Sequence, residues 1–144
     1  MSPTLRTHFD DYASHHQTAG NRLCHSIGIP LIVFSLIALL GQVGLFAVGG
    51  YTVTVAEVVI VAVTLYYLTL DPVLAAGMFV YSTASLFVGR YLPWTVSLGL
   101  FVFGWILQFV GHSVYEKRSP AFLKNFVHLL VGPLWILAKA THRT

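Results

Sequence analysis

The chain has 144 residues, enough for one domain. Only 9% of them are charged and 56% are hydrophobic, with a mean hydropathy of +0.76, against ~25% charged in soluble proteins. A soluble core cannot absorb that much apolar surface, so the composition points to an all-α integral membrane protein, a helical bundle. Lys and Arg number eight against five acidic residues and form no run, and the aromatics lie within apolar segments, so no nucleic-acid partner is expected. The single Cys24 excludes an intramolecular disulfide and a cysteine-built zinc cluster.

The first ~25 residues are polar and carry Asp10 and Asp11, which is unlike the short basic start and apolar stretch of a cleavable signal peptide. A spanning helix needs ~20 mostly apolar residues, and residues 27–48 supply an uncharged first span with Pro30 in its first turn. Gly49-Gly50 punctuates the chain. Residues 53–70 form a second span with Glu57 near one end, and Asp71-Pro72 reads as a tight turn that starts the next helix. Residues 73–89 make a third span and 94–110 a fourth, with Tyr91 and Trp94 placed for a headgroup-level aromatic belt. The last apolar run, 126–138, contains His128, Gly132 and Pro133 and is short. It reads as an interfacial or re-entrant helix, the alternative being a fifth crossing broken at Gly132-Pro133.

With four spans both termini share a side with the segment after Val110. That side carries Arg6, Arg22, Lys117, Arg118, Lys124, Lys139 and Arg143, and the opposite side only Arg90. The positive-inside rule then puts both termini in the cytoplasm, in a bacterial inner membrane or the endoplasmic reticulum. An even number of crossings also returns the chain to its starting face. His15, His16 and His25 therefore meet the interface that holds His112 and Glu116, while Glu57 belongs to the other side.

Imidazoles and carboxylates at a membrane edge are costly unless wet, paired or metal-bound. In a helix, Asn21 and His25 share a face. His16 lies nine residues before His25, on the opposite face of a continuous helix, so convergence on one metal needs a break, which Thr18-Ala19-Gly20 supplies. Gln108, His112 and Glu116 follow at i, i+4 spacing as one polar stripe able to contribute two metal ligands. The plainer readings are interfacial histidines, a hydrogen-bonded stripe capping a bundle, and Glu116 as partner of Lys117 or Arg118. Asn125 suits an N-cap, and His128 could join the site or stand on the surface. His8 and His142 read as terminal surface residues. Two or three histidines and one carboxylate suit Fe(II), Zn or Mn. Iron with open positions activates oxygen and zinc-bound water hydrolyses; residue types do not separate the two.

The order of motifs is specific. His16, Asn21-Arg22, His25 and Gly28-Ile29-Pro30 precede an apolar run; Gln108-Phe109-Val110-Gly111-His112, Glu116-Lys117-Arg118-Ser119-Pro120-Ala121 and Asn125 follow the last long one. In this order the chain resembles the Mpo-type 2-hydroxy fatty acid dioxygenase family from about Tyr12 to Lys139. The resemblance implies a single such domain over residues 1–144. It implies Fe(II)-dependent dioxygenation of 2-hydroxy fatty acids in α-oxidation, with loss of one carbon. It implies catalytic metal ligands His16, His25, His112 and Glu116, with His15 able to replace His16. A 2-hydroxy acid offers carboxylate and hydroxyl as a chelating pair and itself supplies electrons, so no 2-oxoglutarate is required. Arg22 or Arg118 would pair with the substrate carboxylate while the acyl tail lies among Leu, Val and Phe side chains. The partners are then the 2-hydroxy fatty acid, dioxygen and membrane lipid. Two rivals stay open: a Zn-dependent membrane lipid hydrolase with Glu116 as base, and a non-enzymatic lipid-binding membrane protein.

Overall fold

A computed structural model describes residues 1–119 and 126–143. Ser2 caps the chain's first helix by accepting the Leu5 amide at 3.2 Å, and Pro3 takes the first helical position, where its missing N–H costs nothing. This helix, α1 (Pro3–Ser14), buries Leu5, Phe9 and Tyr12 along one face.

After a break at His15–Gln17, Thr18 caps α2 (Ala19–Leu40), its hydroxyl accepting the Asn21 amide. The helix begins well before the expected residue 27, so Pro30 lies in its interior and not in a first turn. The Ser26 carbonyl thereby lacks its α-helical donor, and the Pro30 carbonyl accepts the Tyr81 hydroxyl at 2.8 Å. The expected continuation to residue 48 is corrected as well. Strand β1 (Gly44–Val48) turns back and pairs antiparallel with β2 (Tyr51–Thr54). Gly49 and Gly50 have φ of 54° and 80°, positive at both central positions as a two-residue hairpin with the sheet's own twist requires.

Helix α3 (Val55–Leu68) starts in a capping box between Thr54 and Glu57. Glu57 also pairs with Arg90 at 2.9 Å, and Arg90 reaches the Tyr51 hydroxyl at 2.6 Å, pinning the hairpin to the far end of the next helix. Asp71 caps α4 (Pro72–Gly89), accepting from the Val73 and Leu74 amides. Helix α5 (Trp94–Val110) matches the expected fourth span and passes into a single π-helical stretch at Gly111–Glu116. The last helix, α6 (Val127–Ala140), carries Pro133 inside it; the expected cap Asn125 lies outside the described residues.

Helices α2 to α5 run alternately up and down. The Ser2 amide meets the Leu70 carbonyl at 2.9 Å at one end, Glu57 meets Arg90 at the other, and the rings of His25 and His112 lie 4.8 Å apart back at the first. Among the described residues, three stretches are long and apolar enough to cross a membrane: Ala19–Leu40, Pro72–Gly89 and Trp94–Glu116. Helix α3, expected as the second span, has 14 residues, ~21 Å at 1.5 Å per residue. Val58, Leu65, Val80, Phe87, Phe103 and Ile106 are exposed, an outward apolar surface of the kind that lipid solvates. The main core joins Leu5, Phe9 and Tyr12 of α1 to Tyr67, Leu74 and Met78, and to Leu134 and Trp135 of α6. Helix α6 is thus a packed wall of the bundle.

Candidate metal centre

Three imidazoles meet where the α1–α2 break faces the end of α5. His16, His25 and His112 are 3%, 2% and 1% exposed. Each offers one ring nitrogen, all within 4.8 Å of one another. Their rings stand edge-on, with centroids 4.3 Å apart for His16–His25 and 4.9 Å for His16–His112.

Two of the rings are held by their own helices. His16 Nδ1 donates to the Tyr12 carbonyl at 2.6 Å, and His25 Nδ1 to the Asn21 carbonyl at 2.9 Å. A carbonyl only accepts, so both Nδ1 atoms carry the proton and both Nε2 atoms keep a lone pair, the arrangement of a metal-ligating histidine fixed from behind. The His16 ring also stacks on Tyr12, 4.0 Å between centroids and 12° between planes. His16 Nε2 and His112 Nδ1 are buried without a hydrogen-bond partner. Burial pushes the His16 imidazole down to about 4, which keeps it neutral and able to ligate at ordinary pH. Buried nitrogens with lone pairs and no donor facing them fit a transition-metal ion, with Zn–N distances for example ~2.0–2.1 Å.

Glu116, expected as a fourth ligand, stands elsewhere. Its Oε1 accepts the Gln17 amide at 3.0 Å; its Oε2 accepts the Thr18 amide and hydroxyl and the Asn21 side-chain amide, at 3.1, 3.0 and 3.0 Å. The carboxylate sits on the start of α2, where the helix dipole favours negative charge, and it ties the π turn to the break between the first two helices. The π turn winds more widely than the α-helix that the i, i+4 stripe presumed. Gly111 makes the approach possible: a Cβ there would run into Asn21 Oδ1 and lie 3.1 Å from the Cys24 Cβ.

His15 is not part of the cluster. Its Nδ1 bonds the Asp11 carbonyl at 2.9 Å, and its ring lies edge-on to His128, 5.8 Å away. Arg22 bonds the Gln17 carbonyl at 2.6 Å, and Arg118 is exposed just beyond the π turn; neither lines the cavity beside the histidines.

That cavity, ≈ 60 Å³, is several times the room one water needs. Its walls include Tyr12, all three imidazoles, Gln108 and His128. Val33 and Pro133 line it and two adjoining apolar pockets of ≈ 140 and ≈ 150 Å³, bordered by Met78, Tyr81, Ile60 and Leu137. Sequence reasoning missed Tyr12, which α1 supplies, and left His128 of α6 open between the site and the surface; it is buried on the cavity wall. The signal for Tyr12 was present: Leu5, Phe9 and Tyr12 follow an i, i+4, i+7 pattern after a Ser-Pro start.

Fold and site together define a helical protein with stretches long and apolar enough to cross a membrane and a buried three-histidine cluster that could hold a metal ion, beside apolar pockets. The family model for 2-hydroxy-palmitic acid dioxygenase Mpo1-like proteins matches residues 2–144, and the chain belongs to that family. It is 36% identical over 135 residues to the 2-hydroxy-palmitic acid dioxygenase MPO1 of Saccharomyces cerevisiae, covering 92% of this chain and 77% of the yeast protein. No solved structure matches.

Proposed function

We propose that this protein is an Fe(II)-dependent dioxygenase that shortens 2-hydroxy fatty acids by one carbon. The observation that carries the reading is the trio His16, His25 and His112 on a cavity that continues into apolar pockets, in a chain of this family. The three imidazoles would hold the iron, and iron so held supplies activation of dioxygen. The remaining roles belong to the protein. Tyr12 and Asn21 orient the ligand rings through their carbonyls. Glu116 braces the two segments that deliver His16 and His112. Val33, Pro133 and their neighbours receive the acyl tail and keep water from it. Arg22 and Arg118 are the cations proposed for the substrate carboxylate. The same reading makes α3 a fourth crossing, with both termini and the metal centre at the cytoplasmic face.

The hydrolase alternative needs Glu116 as an available base, and both its oxygens are engaged. The test is metal analysis of detergent-purified protein, followed by oxygen uptake with 2-hydroxypalmitate. Iron at one per chain and substrate-dependent uptake are expected, both lost in His16→Ala, His25→Ala and His112→Ala. No iron and no uptake after Fe(II) reconstitution would sink the proposal.

A further inference from the structure

Opposite the metal ligands, α6 brings a fourth imidazole to the cavity. His128 is 4% exposed and lines the cavity wall. Its Nε2 lies 2.7 Å from Asp11 Oδ2 on α1, a carboxylate whose side chain is 49% exposed. An ionised carboxylate only accepts, so Nε2 carries the proton and Nδ1 keeps its lone pair. Nδ1 is buried with no hydrogen-bond partner. The other titratable groups beside the ring are His15 and Tyr12, each with its ring centroid 5.8 Å away. An acceptor in the cavity wall, held from behind by a carboxylate that reaches solvent, is the arrangement of an oriented general base.

We propose that His128 is the base for the substrate's 2-hydroxyl and that Asp11 is its positioning residue, an inference that rests on the dioxygenase reading above. The overall reaction requires such a proton. A 2-hydroxy acid and dioxygen give the shortened acid, carbon dioxide and water, the electrons lost by the two carbons being those that dioxygen takes up. The hydrogens of the hydroxyl O–H and of the adjacent C–H both end in the water. The O–H bond breaks, its electron pair stays on the substrate oxygen, and its proton passes to His128 Nδ1. The imidazolium so formed is stabilised through Nε2–H by Asp11, and the proton is returned to the oxygen that leaves as water.

The experiment uses the full chain in detergent, loaded with Fe(II), with 2-hydroxypalmitate as substrate. His128→Ala is expected to keep its iron and its KM, to lose about 10²–10⁴-fold in kcat, and to recover part of it with added imidazole. Asp11→Asn keeps a hydrogen-bond acceptor but no charge, and is expected to lose kcat while Asp11→Glu retains most of it. A contact that merely docks α1 on α6 would tolerate Asn at least as well as Glu. Iron-loaded His128→Ala with the parent kcat, or Asp11→Asn as active as the parent, overturns the relay. Should His128→Ala fail to hold iron, the Asn and Glu pair at Asp11 decides alone. Parent protein that binds Fe(II) and takes up no oxygen overturns the dioxygenase reading, and the relay with it.

Discussion

Asn21 joins the two halves of the three-histidine site. Its side-chain amide donates to Glu116 at 3.0 Å, and its carbonyl receives His25 Nδ1 at 2.9 Å. A carboxylate 95 positions away in sequence thereby fixes the helix turn that aims a ligand ring. Replacing Glu116 by Gln keeps the size and removes the charge. Groups that orient metal ligands typically contribute 10–100-fold in metal affinity, so Glu116→Gln is expected to bind Fe(II) about 10–100-fold more weakly while still reaching one per chain. Titration calorimetry reads this directly; an affinity equal to the parent's removes the bracing role.

Arg22 and Arg118 flank the cluster in sequence, one on the first turn of α2 and one beyond the π turn. For a guanidinium that binds the substrate carboxylate, substitution by Ala should raise KM for 2-hydroxypalmitate by about tenfold, the equivalent of ~1.4 kcal/mol, with kcat little changed. An unchanged KM in either variant removes that residue from substrate binding.

Val33 borders the cavity and both apolar pockets. A Trp at this position adds bulk where the cavity and both pockets share a wall. Val33→Trp is expected to retain iron and to lose activity on 2-hydroxypalmitate at least tenfold more than on a 2-hydroxy acid of six carbons. Equal losses on both would show that the acyl chain lies elsewhere.

Asp71 supplies a pH dependence of stability. Burial raises its carboxyl, but the Leu74 amide, the Met1 ammonium at 3.0 Å and the Val73 amide outweigh this and hold it below the ordinary carboxylate range. A group depressed in the folded state contributes stability that is present above its unfolded value of 3.8 and is lost as pH falls through the folded one. Thermal unfolding in detergent should therefore show an acid limb below about pH 4 that flattens in Asp71→Ala. At neutral pH that variant should be less stable by about 1 kcal/mol, the usual worth of an N-cap. An acid limb unchanged in Asp71→Ala would exclude this residue as its source.

The meeting of the three histidines was legible in the sequence because parity is a global property. Alternating apolar runs put His25 and His112 at one end whatever their local geometry, and Thr18 gave the break that lets His16 turn toward them. Glu116 was legible as a polar neighbour but not in its role, because i, i+4 spacing assumes an α-helix and the chain adopts a π turn with four donors around the carboxylate. The end of α2 was misplaced for a related reason. Residues 41–48 carry no charge, and hydropathy alone does not distinguish a continuing span from an apolar strand turned back by Gly49-Gly50. His128 could not be assigned because its burial depends on α1, an amphipathic helix within a segment polar enough to pass for a tail.

The packing of α6 against α1 has a consequence for the life of the molecule. The wall that faces the three histidines belongs to α6, which is synthesised after all of them, and it packs on α1, which is synthesised before them. His16, His25 and His112 are therefore all made while one side of their pocket is still missing. For a metal held by these histidines, uptake of the ion and closure of the cavity are accordingly separable events in biogenesis, the first open to the surroundings and the second waiting for Val131, Leu134 and Trp135 to seat. A chain halted before residue 127 carries all three histidines without the wall that α6 supplies.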